Sequence, residues 1–230
     1  MSWVQNFARS SIGAKVVMAL SGLVIVGFVI GHMLGNLQIF LGQDALNAYA
    51  ANLHAMPPLL WGTRIVVGLS IIAHVLSAIR LSLLNQAARP EGYARKAYVR
   101  ATLGSRTMRL SALVLLAFVI YHLLHFTLGV THPDHKALVD TAGRPDVYSM
   151  VILGFQQPIV AISYVVAMLL LGLHLSHGAS SMFQSLGLHH PQYNGFIDSV
   201  GPVLAGIIVV GNCSMPLAVL LGALTLPGGM

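Results

Sequence analysis

Five separate stretches of this chain stay apolar for longer than a water-soluble domain can hide, and that property limits what it can fold into more than any other. About 20 residues of helix cross the hydrocarbon core of a bilayer. The stretches at approximately 15 to 40, 61 to 84, 109 to 130, 158 to 180 and 199 to 224 all qualify. In lipid each backbone N–H and C=O must be satisfied within its own segment, which selects helices. Apolar residues make up 56% and charged residues 8% of the chain, against roughly a quarter charged in a soluble domain. The expected fold is an all-α integral membrane protein, one domain over 1 to 230 with five transmembrane helices. The connections are expected to be loops too short to fold independently.

The twelve basic residues set the expected orientation, because cytoplasmic loops retain Lys and Arg. Arg9 and Lys15 precede the first span, and Arg80, Arg89, Arg95, Lys96, Arg100, Arg106 and Arg109 crowd the connection between the second and third. The other side holds Arg64, Lys136 and Arg144 beside Asp44, Asp134, Asp140 and Asp146. The N-terminus is expected inside and the C-terminus outside, in the cytoplasmic membrane of a prokaryote. The basic rim suits anionic lipid or an acidic partner subunit, with no need of nucleic acid. The first apolar run is longer than the core of a signal peptide and is read as a retained helix. The lone Cys213 excludes an intramolecular disulfide, covalent C-x-x-C-H haem and a four-cysteine iron–sulfur site on this chain.

His32, His74, His122 and His174 each fall inside a different one of the first four apolar runs. An imidazole in lipid is costly without a partner. Helix rise puts His32 roughly 25 Å and His122 roughly 20 Å from the inner face, His74 about 9 Å and His174 about 10 Å. An outer level thus pairs the first helix with the third, and an inner level the second with the fourth. Two imidazoles at equal height on facing helices are what bis-histidine haem b requires. Two levels imply two haems, offset by 10 to 15 Å on the order of the helix rise. A helix-to-helix hydrogen bond is the plainer use of one such histidine. A histidine-lined metal path is the sharper rival, weakened by the absence of Asp or Glu from the expected spans.

His125 and His177 each follow a candidate ligand by three residues and share its helix face, so either member of a pair could ligate while the other reaches a propionate or a quinone, or merely packs. Gly27, Gly31 and Gly35 form a small-residue stripe, with Gly172 and Gly178 flanking His174; helix packing or a porphyrin face would use it. Arg64, Arg80, Arg106 and Arg109 stand at helix ends where guanidinium could meet propionates, although the positive-inside bias and snorkelling explain all but Arg64. His54, His132, His135, His189 and His190 are expected as solvated loop residues.

In order and spacing, SSIGAKVVMALSGL, GHMLGNLQIF, LNAYAANLH, IIAHVLSAIRL, FVIYHLLHF and LHLSHGASSMFQSLGL resemble the five-helix, two-haem cytochrome b anchor of succinate dehydrogenases and fumarate reductases. The resemblance runs over nearly the whole length. It implies that the first four helices bundle around two stacked haems b, with His32 and His122 on the outer haem and His74 and His174 on the inner one, in preference to His125 and His177. It further implies a flavoprotein subunit and an iron–sulfur subunit on the cytoplasmic side, membrane quinone, usually menaquinone, as the redox partner, and a respiratory complex that itself can be oligomeric. The dicarboxylate chemistry would belong to the partners, since this chain has neither a phosphate-cradling glycine loop nor an acid–base cluster. The resemblance leaves two places for quinone, near His54 and Asn36 or near Ser11, Lys15 and Arg109. The segment from Arg89 to Arg109, with Arg95 and Lys96, is expected to dock the iron–sulfur subunit. Some members of that family carry a glutamate two residues before the fourth-helix ligand, where this chain has Gly172, which puts that proton route in doubt. A di-haem cytochrome b of a hydrogenase or formate dehydrogenase is the alternative reading.

Overall fold

The computed structural model describes residues 5–7, 10–88, 91 and 101–228. Arg9, Arg89, Arg95, Lys96 and Arg100 lie outside the described residues, and with them most of the expected docking segment. The described residues form an all-helical chain with five helices long and apolar enough to cross a membrane.

Helix α1 (Ser11–Asn36) starts where the Ser10 side chain accepts the Gly13 N–H, satisfying one of the donors every helix start leaves orphaned. A 3₁₀ turn, Leu37–Leu41, and Gly42 at φ 99° redirect the chain into α2 (Gln43–His54). Two prolines open α3 (Pro57–Ala88), at positions whose N–H has no helical partner to lose. Thr102 caps α4 (Leu103–His122) by accepting the Ser105 N–H. A single π turn, Leu123–Thr127, extends α4 before Gly129 at φ 68° ends it. The short α5 (Pro133–Lys136) and α6 (Val147–Phe155) precede α7 (Pro158–Ser185) and α8 (Asn194–Leu220).

The spanning helices α1, α3, α4, α7 and α8 overlap all five expected runs, with shifted ends. The third helical stretch ends at Thr127 rather than 130, and the last runs from Asn194 to Leu220 rather than from 199 to 224. That earlier start brings Asp198, 66% exposed, into the second turn of α8. The expectation of spans without any acid is corrected accordingly. The connections expected as loops also contain α2, α5 and α6, because buried Leu46, Asn47 and Ile152 have somewhere to pack.

Packing divides the bundle. Helix α8 lies along α7, α4 packs on the other side of α7, and α1 pairs with α3 while touching α7 and α8 more sparingly. A Cβ at Gly172 would meet a Val209 methyl at 2.5 Å, so α7 and α8 approach closely here. Small cores of Ala167, Met168 and Cys213, and of Leu175, Ala205 and Ile208, fill that seam. Outward, Leu69, Ile159 and Val210 are exposed, a surface that would aggregate in water and suits lipid.

One end of the bundle, the cap end, carries α2, α5 and α6. A polar clasp holds it. Asn47, fully buried, donates to Asp140 Oδ2 (3.1 Å) and Asp146 Oδ1 (2.9 Å) and accepts the Tyr148 N–H (3.0 Å). Gln43 donates to Asp146 (2.8 Å), and Arg144 bridges Asp140 and Asp44. Desolvation alone would push the Asp140 carboxyl up, but hydrogen bonds from Arg144, Asn47 and Ala142 outweigh it and hold the group at about 2. Asp146 is lowered in the same sense, its desolvation outweighed by donors from Ser149, Asn47 and Gln43.

Candidate functional site

Four imidazoles from α1, α3, α4 and α7 meet in two pairs across the bundle. The ring centres of His32 and His122 lie 5.7 Å apart with planes at 88°. Those of His74 and His174 lie 6.4 Å apart with planes at 59°. Each pair joins the α1–α3 unit to the α4–α7 unit, across the division in the packing.

Three helices give the same vertical separation of the pairs. On α1, Gly22 abuts the His74 ring (3.3 Å from a Cβ at that position), ten residues before His32. On α4, Ser111 meets His174 at 3.3 Å, eleven residues before His122. On α7, Tyr164 meets His122 at 3.4 Å, ten residues before His174. At the helical rise these intervals put the pairs about 15 Å apart, half the thickness of a bilayer core.

Hydrogen bonds decide which nitrogen of the His74 and His174 rings is free. The His74 Nδ1 lies 3.1 Å from the Met18 carbonyl oxygen, which only accepts, so Nδ1 carries the proton and Nε2 keeps its lone pair. The Ser111 hydroxyl donates to the Met108 carbonyl (3.0 Å), so it accepts from His174 Nδ1, and His174 Nε2 is again left bare. Tyr164 Oη stands 3.4 Å from His122 Nδ1 and 3.0 Å from His125 Nδ1. Its single proton serves one ring while its oxygen accepts from the other. His32 is oriented by Phe28, whose ring stacks on it at 5.3 Å. Such outer partners fix the tautomer and direction of a metal-binding imidazole.

These residues fit an iron held between two imidazoles. With metal–nitrogen bonds of roughly 2 Å, two trans imidazoles put their ring centres roughly 6 to 6.5 Å apart. The 6.4 Å of His74 and His174 lies within that range and the 5.7 Å of His32 and His122 falls just short of it; nitrogen donors with Nδ1 occupied, as in His74 and His174, are the donor set bis-histidine haem uses. Gly27 and Gly31, beside Phe28 and His32, face open space with nothing within 4 Å of a Cβ. The α1–α3 seam carries a groove of about 410 Å³ reaching Val24 and Phe28, and a second of about 270 Å³ lined by Ala14, Val17, Ser77 and Arg80.

The other expected residues are placed as follows. His125, 3% exposed, points away from His32, stacked on Phe126 at 3.9 Å and bonded to Tyr164. His177 lies one turn beyond His174, its Cβ 3.3 Å from where a Gly104 Cβ would sit. Arg64 lies over the Trp61 ring at 5.0 Å, an interfacial cation–π pair. Arg106 and Arg109 are exposed on the first turns of α4. His54 bonds its own helix at Ala50, and Asn36 donates to the His32 carbonyl. Of the glycine stripe, Gly35 packs, against Tyr49. Tyr164, Ser111 and Ser21 (3.5 Å from His74 Nδ1) were missed from sequence. A hydroxyl inside an apolar run was the available signal, but serines that bond back to their own helix give the same one.

No known protein family, curated protein or solved structure matches the chain.

Proposed function

We propose that this chain is the membrane-anchor cytochrome b subunit of a succinate:quinone oxidoreductase, a succinate dehydrogenase or fumarate reductase, and binds two haems b. His32 and His122 would ligate one, and His74 and His174 the other. The observation that carries the reading is the pair of cross-bundle imidazole couples, 5.7 and 6.4 Å between ring centres, with Nδ1 of His74 and His174 engaged by acceptors.

Bound there, haem iron supplies one-electron redox chemistry. The chain's own residues hold His74 and His174 in one tautomer, would keep water out with the surrounding apolar helix faces, and set the two pairs about 15 Å apart by helix rise. Electrons would pass between an iron–sulfur subunit on the basic side and membrane quinone, usually menaquinone in the family it resembles, while a flavoprotein partner would carry the dicarboxylate chemistry. Arg64, Arg80 and Arg109 would be the candidates to meet haem propionates; Arg80 lines a groove between α1 and α3, and Arg64 lies over the Trp61 ring. The chain would be a multi-pass protein of a prokaryotic cytoplasmic membrane, N-terminus inside.

Gly172 bears on the proton route. A glutamate there would collide with Val209, so the packing of α7 on α8 leaves no room for the side chain that some members of that family carry.

The experiment is a dithionite-reduced minus oxidised spectrum of the purified complex, with pyridine haemochrome quantitation per chain. Two haems b are expected, falling to one in His122→Ala and in His174→Ala. Absence of any haem spectrum would overturn the reading in favour of a histidine-lined metal path. Co-purification of a hydrogenase or formate dehydrogenase subunit, rather than a flavoprotein and an iron–sulfur protein, would move it to the other di-haem class.

A further inference from the structure

The connection after α4 gathers a second set of metal-type donors, away from the two imidazole couples and on a different element. His132 precedes α5, and Asp134 and His135 lie within it. One ligand atom from each falls within 4.8 Å of the others. His135 Nε2 is 3.6 Å from Asp134 Oδ2, close to the spacing of two ligands on a tetrahedral ion, roughly 3.3 Å for bonds of about 2 Å. The His132 and His135 rings stack at 4.8 Å with planes at 15°, His132 capping the turn that carries His135.

The loop that carries them is built rather than loose. The chain leaves the π turn through Leu128 N–H to Leu123 and Val130 N–H to Leu124, both at 2.8 Å. Gly129 at φ 68° takes the left-handed conformation there, and its bare Cα lets the Lys136 side chain lie against it. Lys136 Nζ then donates to the Phe126 carbonyl at 3.4 Å, which holds that cation by the main chain. Pro133 opens the turn of α5, and the His132 ring packs edge-on to buried His125 at 5.5 Å. The His135 side chain is 15% exposed and that of Asp134 78% exposed; closing the set takes rotation of the solvated carboxylate and of the stacked rings, so that their in-plane lone pairs turn onto one point.

We propose that His132, Asp134 and His135 form a binding site for a divalent first-row transition cation, best matched by Zn²⁺. Two imidazoles and one carboxylate are borderline donors that select zinc, copper or nickel over Mg²⁺ and Ca²⁺, which demand oxygen. Three protein ligands leave a fourth, solvent-facing position for water. His125 does not complete the set: its Nδ1 is bonded to Tyr164, and its Nε2 packs where a Gly154 Cβ would sit, 3.1 Å away. The site lies within α5 and the residue that caps it and does not depend on the haem reading.

The test is equilibrium dialysis of the intact purified protein against micromolar free Zn²⁺, with metal counted per chain by elemental analysis and folding followed by helical circular dichroism. One Zn²⁺ per chain is expected, competed by Cu²⁺ and Ni²⁺ but not by Mg²⁺. His132→Ala and His135→Ala should each abolish it with helicity intact, and Asp134→Asn should weaken it by about tenfold or more. A His189→Ala/His190→Ala variant, altered in the other histidine-bearing connection, should retain it. No bound zinc, or zinc retained by His132→Ala/His135→Ala, would overturn the proposal and leave the cluster as a His135–Asp134 ion pair. Haem content is counted on the same samples, so failure of this site is separable from failure of the haem assignment.

Discussion

At the scale of single residues, what orients His74, His122 and His174 is the hydrogen-bonding group beside Nδ1, whereas His32 is held by the stacked Phe28 ring. Tyr164 serves both His122 and His125 with one hydroxyl. Tyr164→Phe leaves those two ring nitrogens without that partner, and loss of such an outer partner costs about 10- to 100-fold in metal affinity. The expected outcome is preferential loss or shifted potential of the haem at His32 and His122, read by redox titration of the two components. Ser111→Ala should do the reverse, moving the component held by His174 and sparing the other, because Ser111 touches only that couple. Equal effects of both variants on both components would contradict this division. The four histidines that pair across the bundle were legible from sequence because a polar residue in an apolar run stands out. Their hydroxyl partners were not, since nothing in a one-dimensional pattern says that Tyr164 on α7 lies beside His122 on α4.

At the scale of elements, close helix approach positions the second couple. A Cβ at Gly104 would lie 2.6 Å from the Leu173 carbonyl oxygen and 2.9 Å from Ser176 Oγ, and a main-chain carbonyl cannot swing aside. Gly104→Ala is therefore expected to push the start of α4 off α7, at a cost of about 1–3 kcal/mol. It should loosen the couple near that end, His74 with His174, before the one at the cap end, seen as selective haem loss on warming. The glycines picked out in the sequence behave unevenly by comparison. Gly172 and Gly35 are packed, whereas Gly27, Gly31 and Gly178 have nothing within 4 Å. Spacing reveals a stripe of small residues, but whether a neighbour comes up against it depends on how the other helices lie.

At the scale of the whole molecule, the cap end is the part held by polar rather than apolar forces. Asn47→Ala would strand acceptors on Asp140 and Asp146 and the Tyr148 N–H, and is expected to destabilise the protein by about 2–3 kcal/mol, measured as a lowered midpoint of thermal unfolding in detergent. The clasp also has a pH signature. Asp140 sits at about 2 against an ordinary 3.8, and Asp146 is lowered too. Carboxyls depressed in the folded state contribute stability that is complete above their unfolded value and is lost as pH falls through the folded one. Protection of the α2 and α6 amides against hydrogen exchange should therefore hold from pH 7 to about 5 and fall between about 4 and 2. Protection unchanged at the acid end would refute the role given to the two aspartates.

Hydropathy and length alone determined that the chain makes five long apolar helices, because a lipid-spanning segment must satisfy its own hydrogen bonds and that demand is written locally, residue by residue. Helix rise, also local, sorted the four histidines into two depths. The ends of the helices were less readable: α8 begins at Asn194 rather than 199 and takes in Asp198, a residue that hydropathy alone leaves outside the span. Only the tertiary structure decided which hydroxyl faces which imidazole, that Val209 occupies the space beside Gly172, and that Asn47, Asp140 and Asp146 close a clasp across about a hundred residues of chain. Each of these depends on the rotation of one helix about its axis relative to another. That angle is set by the sum of many weak packing contacts along the whole interface, and no single stretch of sequence encodes it.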